Sequence, residues 1–130
     1  MKNRIEYTGH IHESGEDYLE KILMLQEQDK NVRSVDLAAA FGYSRPAISR
    51  AVKVLKEDGF ILVGNKGQLE LTEEGRKKAE ETLARHRVLT KLFKKLGIDS
   101  DIAETDACRV EHIIHQETFA KLAELADKLD

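Results

Sequence analysis

The stretch Ser34-Val35-Asp36-Leu37-Ala38-Ala39-Ala40-Phe41-Gly42-Tyr43-Ser44-Arg45-Pro46-Ala47-Ile48-Ser49-Arg50-Ala51 decides the fold. Ser34 is expected to cap a short helix through Ala40, and Gly42 breaks it where a turn needs positive φ. Ser44 caps a second helix that tolerates Pro46 in its first turn, where no intrahelical donor is required. Leu37, Phe41, Tyr43, Ile48 and Ala51 supply apolar contacts, and the small Ala38 suits a close helix crossing. This is the pattern of a helix-turn-helix.

Outward from that stretch the order completes itself. The second helix runs to about Asp58, with Gly59 at its end. Residues 60–63 and 68–71 read as two short strands joined by the turn Gly64-Asn65-Lys66-Gly67. Helix, turn, helix and hairpin make a winged helix-turn-helix. Upstream, Ser14-Gly15-Glu16-Asp17 matches a capping box, with Tyr18, Ile22 and Leu25 following at helical spacing. This predicts a helix from Ser14 to about Gln28 and a loose polar arm over 1–13. Downstream, Thr72 caps a long helix to about Leu96, stopped by Gly97. Two further helices are expected, from Asp101 to about His115 and from Glu117 to Leu129. The expected fold is therefore mostly α: a winged helix-turn-helix domain over 1–71, a linking helix over 72–96, and a helical dimerisation domain over 97–130.

Composition agrees. The 130 residues are 41% apolar and 35% charged, with one Pro and no Trp, which suits a helical domain with a real core. There is no run of eighteen apolar residues, no apolar segment near Met1, and a single cysteine, Cys108. A membrane span, a secretory leader and a disulfide framework are all unexpected, and a reducing, cytoplasmic setting is expected. The net charge of -3 alone argues against nucleic acid, but its distribution does not. Residues 31–69 and 71–99 each carry +3, while 100–130 carry -5. An electrostatic footprint is local, and the basic middle coincides with the helix-turn-helix.

The expected DNA-reading residues are Arg45, Pro46, Ser49, Arg50 and Lys53 on the second helix. A helix fits the major groove and reads base edges from its first turns. Ser34 and Ser44 at helix N-termini suit phosphate oxygens, and Lys66 at the hairpin tip suits the backbone. Double-stranded DNA, in a palindromic operator, is the expected partner.

The last third carries a second constellation. Cys108, Glu111 and His112, at i, i+3 and i+4, share one face of a helix, with Glu104 and His115 one turn away on either side. A thiolate, a carboxylate and an imidazole are ligands for a first-row transition ion. Asp17 and Glu20 share a face of the first helix, and His86 lies on the linking helix. A buried thiol, a capping acid and a core histidine are the ordinary alternatives for Cys108, Asp17 and His86. The spacing Cys-x-x-Glu-His also imitates some zinc proteases, but downstream of His115 only Glu and Asp on an amphipathic helix follow it.

Glu16-Asp17-Tyr18-Leu19-Glu20, Arg85-His86-Arg87 and Asp106-Ala107-Cys108-Arg109-Val110-Glu111-His112 together resemble the metal-dependent repressors related to the diphtheria toxin repressor. The shorter manganese-transport regulators are the nearer likeness, over about residues 14–129. The resemblance implies that Asp17, Glu20, His86, Cys108, Glu111 and His112 face metal. It implies a homodimer activated by Mn²⁺ or Fe²⁺ that represses metal-uptake genes. The chain mixes two patterns: Cys108 is iron-like, whereas Asp17 is manganese-like. At the ancillary positions of the iron type it holds Thr90 and Glu104, leaving Glu104 the one candidate ancillary ligand. The alternative is a metal-independent winged-helix regulator that senses another ligand. No nucleophile–base pair or phosphate-binding loop points to an enzyme.

Overall fold

The helix-turn-helix stretch folds around its one left-handed residue. In the structure, a computed structural model that describes residues 5–28 and 31–129, Gly42 has φ 70° and ends α2 (Ser34–Phe41). Ser44 then caps α3 (Arg45–Glu57), its hydroxyl accepting from the Ala47 amide at 3.3 Å. Before them comes α1 (Ile5–Glu27); after them come β1 (Ile61–Val63), β2 (Leu69–Leu71), α4 (Glu73–Lys95), α5 (Ser100–Val110) and α6 (Gln116–Asp127). No helix among the described residues is long and apolar enough to cross a membrane.

The chain divides into two compact units. The first spans residues 14–80. Leu37 of α2 and Ile48 and Leu55 of α3 are buried, as are Leu19, Ile22 and Leu23 of α1. β1 and β2 pair antiparallel, with Ile61 opposite Leu71 and Val63 opposite Leu69. Ile61 and Leu69 are buried, while Leu62, Val63 and Glu70 are exposed, so the ribbon is anchored to the core by one residue of each strand. Tyr18 meets Phe41 and Tyr43 edge-on, with ring centroids 5.1 and 6.4 Å away, so α1 is packed onto the helix-turn-helix corner. Burial pushes the Tyr18 phenol above its ordinary value, and Tyr43 and the Asp17 carboxylate push the same way.

α4 begins as its sequence predicts: Thr72 Oγ1 accepts from the Gly75 amide at 3.0 Å. A Cβ on Gly75 would lie 1.9 Å from the Phe60 carbonyl oxygen, so only glycine lets this first turn approach the strand so closely. Gly75→Ala is expected to lower stability by about 1–3 kcal/mol, the cost of overpacking against backbone. Urea unfolding, with the midpoint displaced and the slope retained, checks it.

The second unit holds residues 81–129 and residues 5–13, so the division falls within α4. Its buried residues include Leu83, Leu89 and Leu92 of α4, Ala103 and Ala107 of α5, and Ala126 of α6. The alanines let α5 and α6 bury backbone-close faces without large side chains.

Three expectations need correction. The backbone is helical from Ile5, so residues 5–13 are not a loose arm and Ser14 does not start α1; residues 1–4 lie outside the described region. Extending an existing helix gains a bond per residue, whereas a fresh start at Ser14 costs a nucleus. Ser34 is the first helical residue of α2 rather than its cap: the cap is Arg33, whose amide donates to the Asp36 carboxylate at 2.8 Å. Finally, α5 ends at Val110, not His115, and His115 caps α6. The chain tightens there through i→i−3 bonds, with the Ile113 amide on the Val110 carbonyl at 3.0 Å.

Candidate metal centre and DNA-reading face

Four of the candidate ligands lie in the second unit. Cys108 comes from the last turn of α5, and Glu111 and His112 from the turn that follows. Glu111 keeps helical backbone angles, φ -58° and ψ -23°, so the shared face survives the end of the helix. The Cys108 sulfur, a Glu111 carboxylate oxygen and a His112 imidazole nitrogen lie within 4.8 Å of one another. His86 reaches the same carboxylate from α4: its Nδ1 is 2.9 Å from Glu111 Oε1. The other oxygen, Oε2, is 3.4 Å from His112 Nε2.

Burial gives this cluster its chemical meaning. The side chain of Glu111 is 0% exposed and that of His112 is 2% exposed. An ionised carboxylate out of water is costly unless a cation or several donors face it. Here it faces two imidazoles and a thiol, groups that join it most readily around a shared cation. Each oxygen of Glu111 addresses a different histidine, so one carboxylate presents donors in two directions. The donor set therefore fits a first-row divalent ion.

Asp17 and Glu20 belong to the first unit, three residues apart on α1 and thus on one side of it. Glu16 pairs with Lys78 at 3.7 Å. Glu104 is exposed. It lines an open cleft of about 670 Å³ along α4 with His86, Arg87, Thr90, Lys91, Lys94 and Lys95. Lys94 Nζ lies 3.6 Å from its carboxylate. Three lysines and an arginine make this a poor place for a second cation.

The DNA-reading residues stand clear of the first unit's core. Ser44, Arg45, Pro46, Ser49, Arg50 and Lys53 are all exposed along one end of α3, and Ser34 is half-buried. Lys66 is exposed at the hairpin tip. That tip is held from behind, a feature no sequence pattern signals. The Arg33 guanidinium donates to the Lys66 carbonyl, Arg33 bridges Gln68, and the Lys66 amide donates to Gln68 Oε1 at 3.1 Å. The wing is thus tied to the start of α2, leaving the Lys66 ammonium outward.

Comparison with known proteins finds relatives for both parts of the chain. Residues 10–69 match the family described as the iron dependent repressor, N-terminal DNA binding domain. Residues 72–130 match its metal binding and dimerisation domain. The transcriptional regulator MntR of Salmonella typhimurium is 37% identical over 111 residues, covering 85% of this chain and 71% of that protein. The diphtheria toxin repressor of Corynebacterium glutamicum is 30% identical over 128 residues, covering 98% of this chain and 53% of that protein. Among solved structures, a manganese-dependent transcriptional repressor in complex with manganese superposes with a TM-score of 0.78 at 28% identity. That match covers 87% of this chain and 52% of the other, so the chain spans about half the length of that structure. The manganese regulator SloR gives the same TM-score, 0.78, at 26% identity, covering 87% of this chain and 53% of that one.

Proposed function

This chain belongs to the family of iron-dependent repressors, and on that premise we propose that it is a metal-activated, DNA-binding transcriptional repressor controlling metal uptake or homeostasis genes. The observation that carries the reading is the fully buried Glu111 carboxylate, set between His86 and His112 and beside Cys108. Cys108, Glu111, His112 and His86 are assigned as ligands of the ion, and Asp17 and Glu20 of α1 as further ligands. A bound divalent ion supplies the positive charge that lets a thiolate, carboxylates and imidazoles share one centre. With metal bound, α3 in each subunit of a dimer is held in one orientation. Two α3 helices can then match half-sites one DNA turn, about 34 Å, apart in a palindromic operator.

The dimer rests on apolar surface. Ile102, Ile113 and Leu125 of the second unit are 55, 65 and 49% exposed, and we place them in the dimer interface, where a partner removes them from water. Light scattering on the purified protein at tens of micromolar is expected to give twice the chain mass; a monomer with and without metal contradicts it.

Metal preference turns on Cys108. A thiolate favours Fe²⁺, Co²⁺ and Zn²⁺, whereas the carboxylates of Asp17 and Glu20 favour Mn²⁺, so the site accepts both Mn²⁺ and Fe²⁺. Cys108→Glu is expected to shift the affinity ratio toward Mn²⁺ while activation is kept. Loaded with Co²⁺, the protein should show near-ultraviolet thiolate charge-transfer absorption that Cys108→Ser removes. Glu104→Ala, by contrast, should leave Mn²⁺ affinity unchanged, because Lys94 already faces that carboxylate.

The test of the function is DNA binding itself. A duplex selected by the protein from a random pool, with and without Mn²⁺, should be bound about 5–150-fold more tightly with metal, corresponding to the usual allosteric coupling of about 1–3 kcal/mol. Equal affinity in the presence of a chelator would favour the metal-independent regulator.

A further inference from the structure

One arginine next to the cluster directs its whole guanidinium at the corner that carries the ligands. Arg85 Nη1 donates to the Glu111 carbonyl at 3.0 Å and to the Ile114 carbonyl at 2.9 Å. Its Nη2 donates to Gln116 Oε1 at 2.9 Å, and its guanidinium carbon lies 5.3 Å from the centre of the Phe119 ring. The corner between α5 and α6 is thereby pinned to α4 at four points.

The carbonyls are the ones that need it. Both lie past Val110, the last residue of α5, so neither carbonyl belongs to the hydrogen-bond ladder of that helix. A planar guanidinium can serve two carbonyls and an amide oxygen at once while stacking on an aromatic ring; an ammonium cannot. Arg85 also neighbours His86 in sequence. So α4 grips Glu111 twice: His86 holds its carboxylate at 2.9 Å, and Arg85 holds its backbone carbonyl at 3.0 Å. The rotation of the Glu111 side chain and the position of its backbone are both set by two consecutive residues of one helix.

We propose that Arg85, which is not itself a ligand, is the positioning residue of the metal centre: it fixes the α5–α6 corner so that Glu111 and His112 meet Cys108 and His86 before any ion arrives. The proposal rests on the metal reading of this cluster. Partners that orient ligands typically govern metal affinity by about 10–100-fold, and here the orientation is applied through the main chain. The i→i−3 bonds that follow Val110 do not do the same work, since they set the local turn but not its attachment to α4.

The experiment compares wild type, Arg85→Met, Arg85→Lys and Glu111→Gln in the full chain. Mn²⁺ affinity, the Co²⁺ spectrum, the metal-free thermal midpoint and metal-free amide exchange over residues 111–116 are measured for each. Arg85→Met is expected to weaken Mn²⁺ about 10–100-fold, to alter the Co²⁺ spectrum, and to speed exchange at the corner in the absence of metal. Arg85→Lys should recover part of each. A folded Arg85→Met with Mn²⁺ affinity within about twofold of wild type overturns the proposal. If Arg85→Met does not fold, Arg85→Lys decides, and wild-type affinity and spectrum in it overturn the proposal. Loss of fold in both variants overturns it as well, because Arg85 is then a general packing residue. Unchanged Mn²⁺ affinity in Glu111→Gln sinks the metal reading instead, whatever Arg85 does.

Discussion

Glu111→Ala should cost the protein its metal response outright. The side chain is 0% exposed and lies between the imidazoles of His86 and His112 at 2.9 and 3.4 Å. Removing it deletes a ligand, leaves two imidazoles facing a void, and takes away a carboxylate that joins α4 to the end of α5. Orienting partners alone are worth about 10–100-fold in metal affinity, so a directly ligating carboxylate should exceed the upper figure of about a hundredfold. Mn²⁺ titration checks this, and DNA binding by the variant should be equal with and without Mn²⁺. Truncating one partner of a buried pair typically costs about 3–5 kcal/mol, so the metal-free thermal midpoint should fall as well, and the titration is made on variant protein shown to be folded. A metal response retained in Glu111→Ala would mean that the centre is built on other residues.

The second large effect is at the recognition helix. Arg50 is exposed in the second turn of α3, with no acid three or four residues away on its own helix. If it reads a base edge, Arg50→Ala should weaken binding to the selected duplex by about 1–3 kcal/mol and relax the sequence preference at one position. Lys66→Ala separates base reading from backbone attraction. Lys66 lies on a wing held by Arg33 and Gln68, so its truncation should leave the wing in place and weaken all sequences alike. The slope of log affinity against log salt should then flatten by about 0.9, the share of the single phosphate that Lys66 neutralises. Binding of selected and scrambled duplexes over a salt series measures both variants together. Unchanged affinity and preference in Arg50→Ala would mean that α3 does not read bases through this residue.

The parts of the fold that are legible in the sequence are those governed by local chemistry. Gly42 with φ 70°, Ser44 with its hydroxyl on the Ala47 amide, Thr72 on the Gly75 amide and Gly97 with φ 93° each punctuate the chain where their residue type predicts. The hairpin follows from two apolar runs around a glycine-bounded turn. What local chemistry cannot give are features decided at a distance. The box pattern at Ser14 looks like a helix start, yet residues 5–13 are already helical. The apolar period through Ile114 suggests that α5 continues, yet it ends at Val110, where Arg85 of α4 engages the carbonyls beyond. Gly75 reads as an ordinary helix glycine until the Phe60 carbonyl is seen against it.

The candidate centre divides in the same way. Cys108, Glu111 and His112 are visible as a spacing, because three and four residues along a helix is one face. His86 has the pattern of a core histidine, and only the fold shows its Nδ1 2.9 Å from Glu111. The Lys94–Glu104 pair is invisible in the sequence, because no spacing rule relates the end of one helix to the start of another. Arg85 stands out only as the neighbour of His86, since its four partners lie 26 to 34 positions further along the chain.

The most direct measurement is reciprocal coupling between metal and DNA. Mn²⁺ affinity is determined for the purified protein with and without the selected duplex, and duplex affinity with and without Mn²⁺. Each ligand should tighten the other by the same factor, between about 5- and 150-fold. Two independent affinities, with a factor of one in both directions, would contradict it.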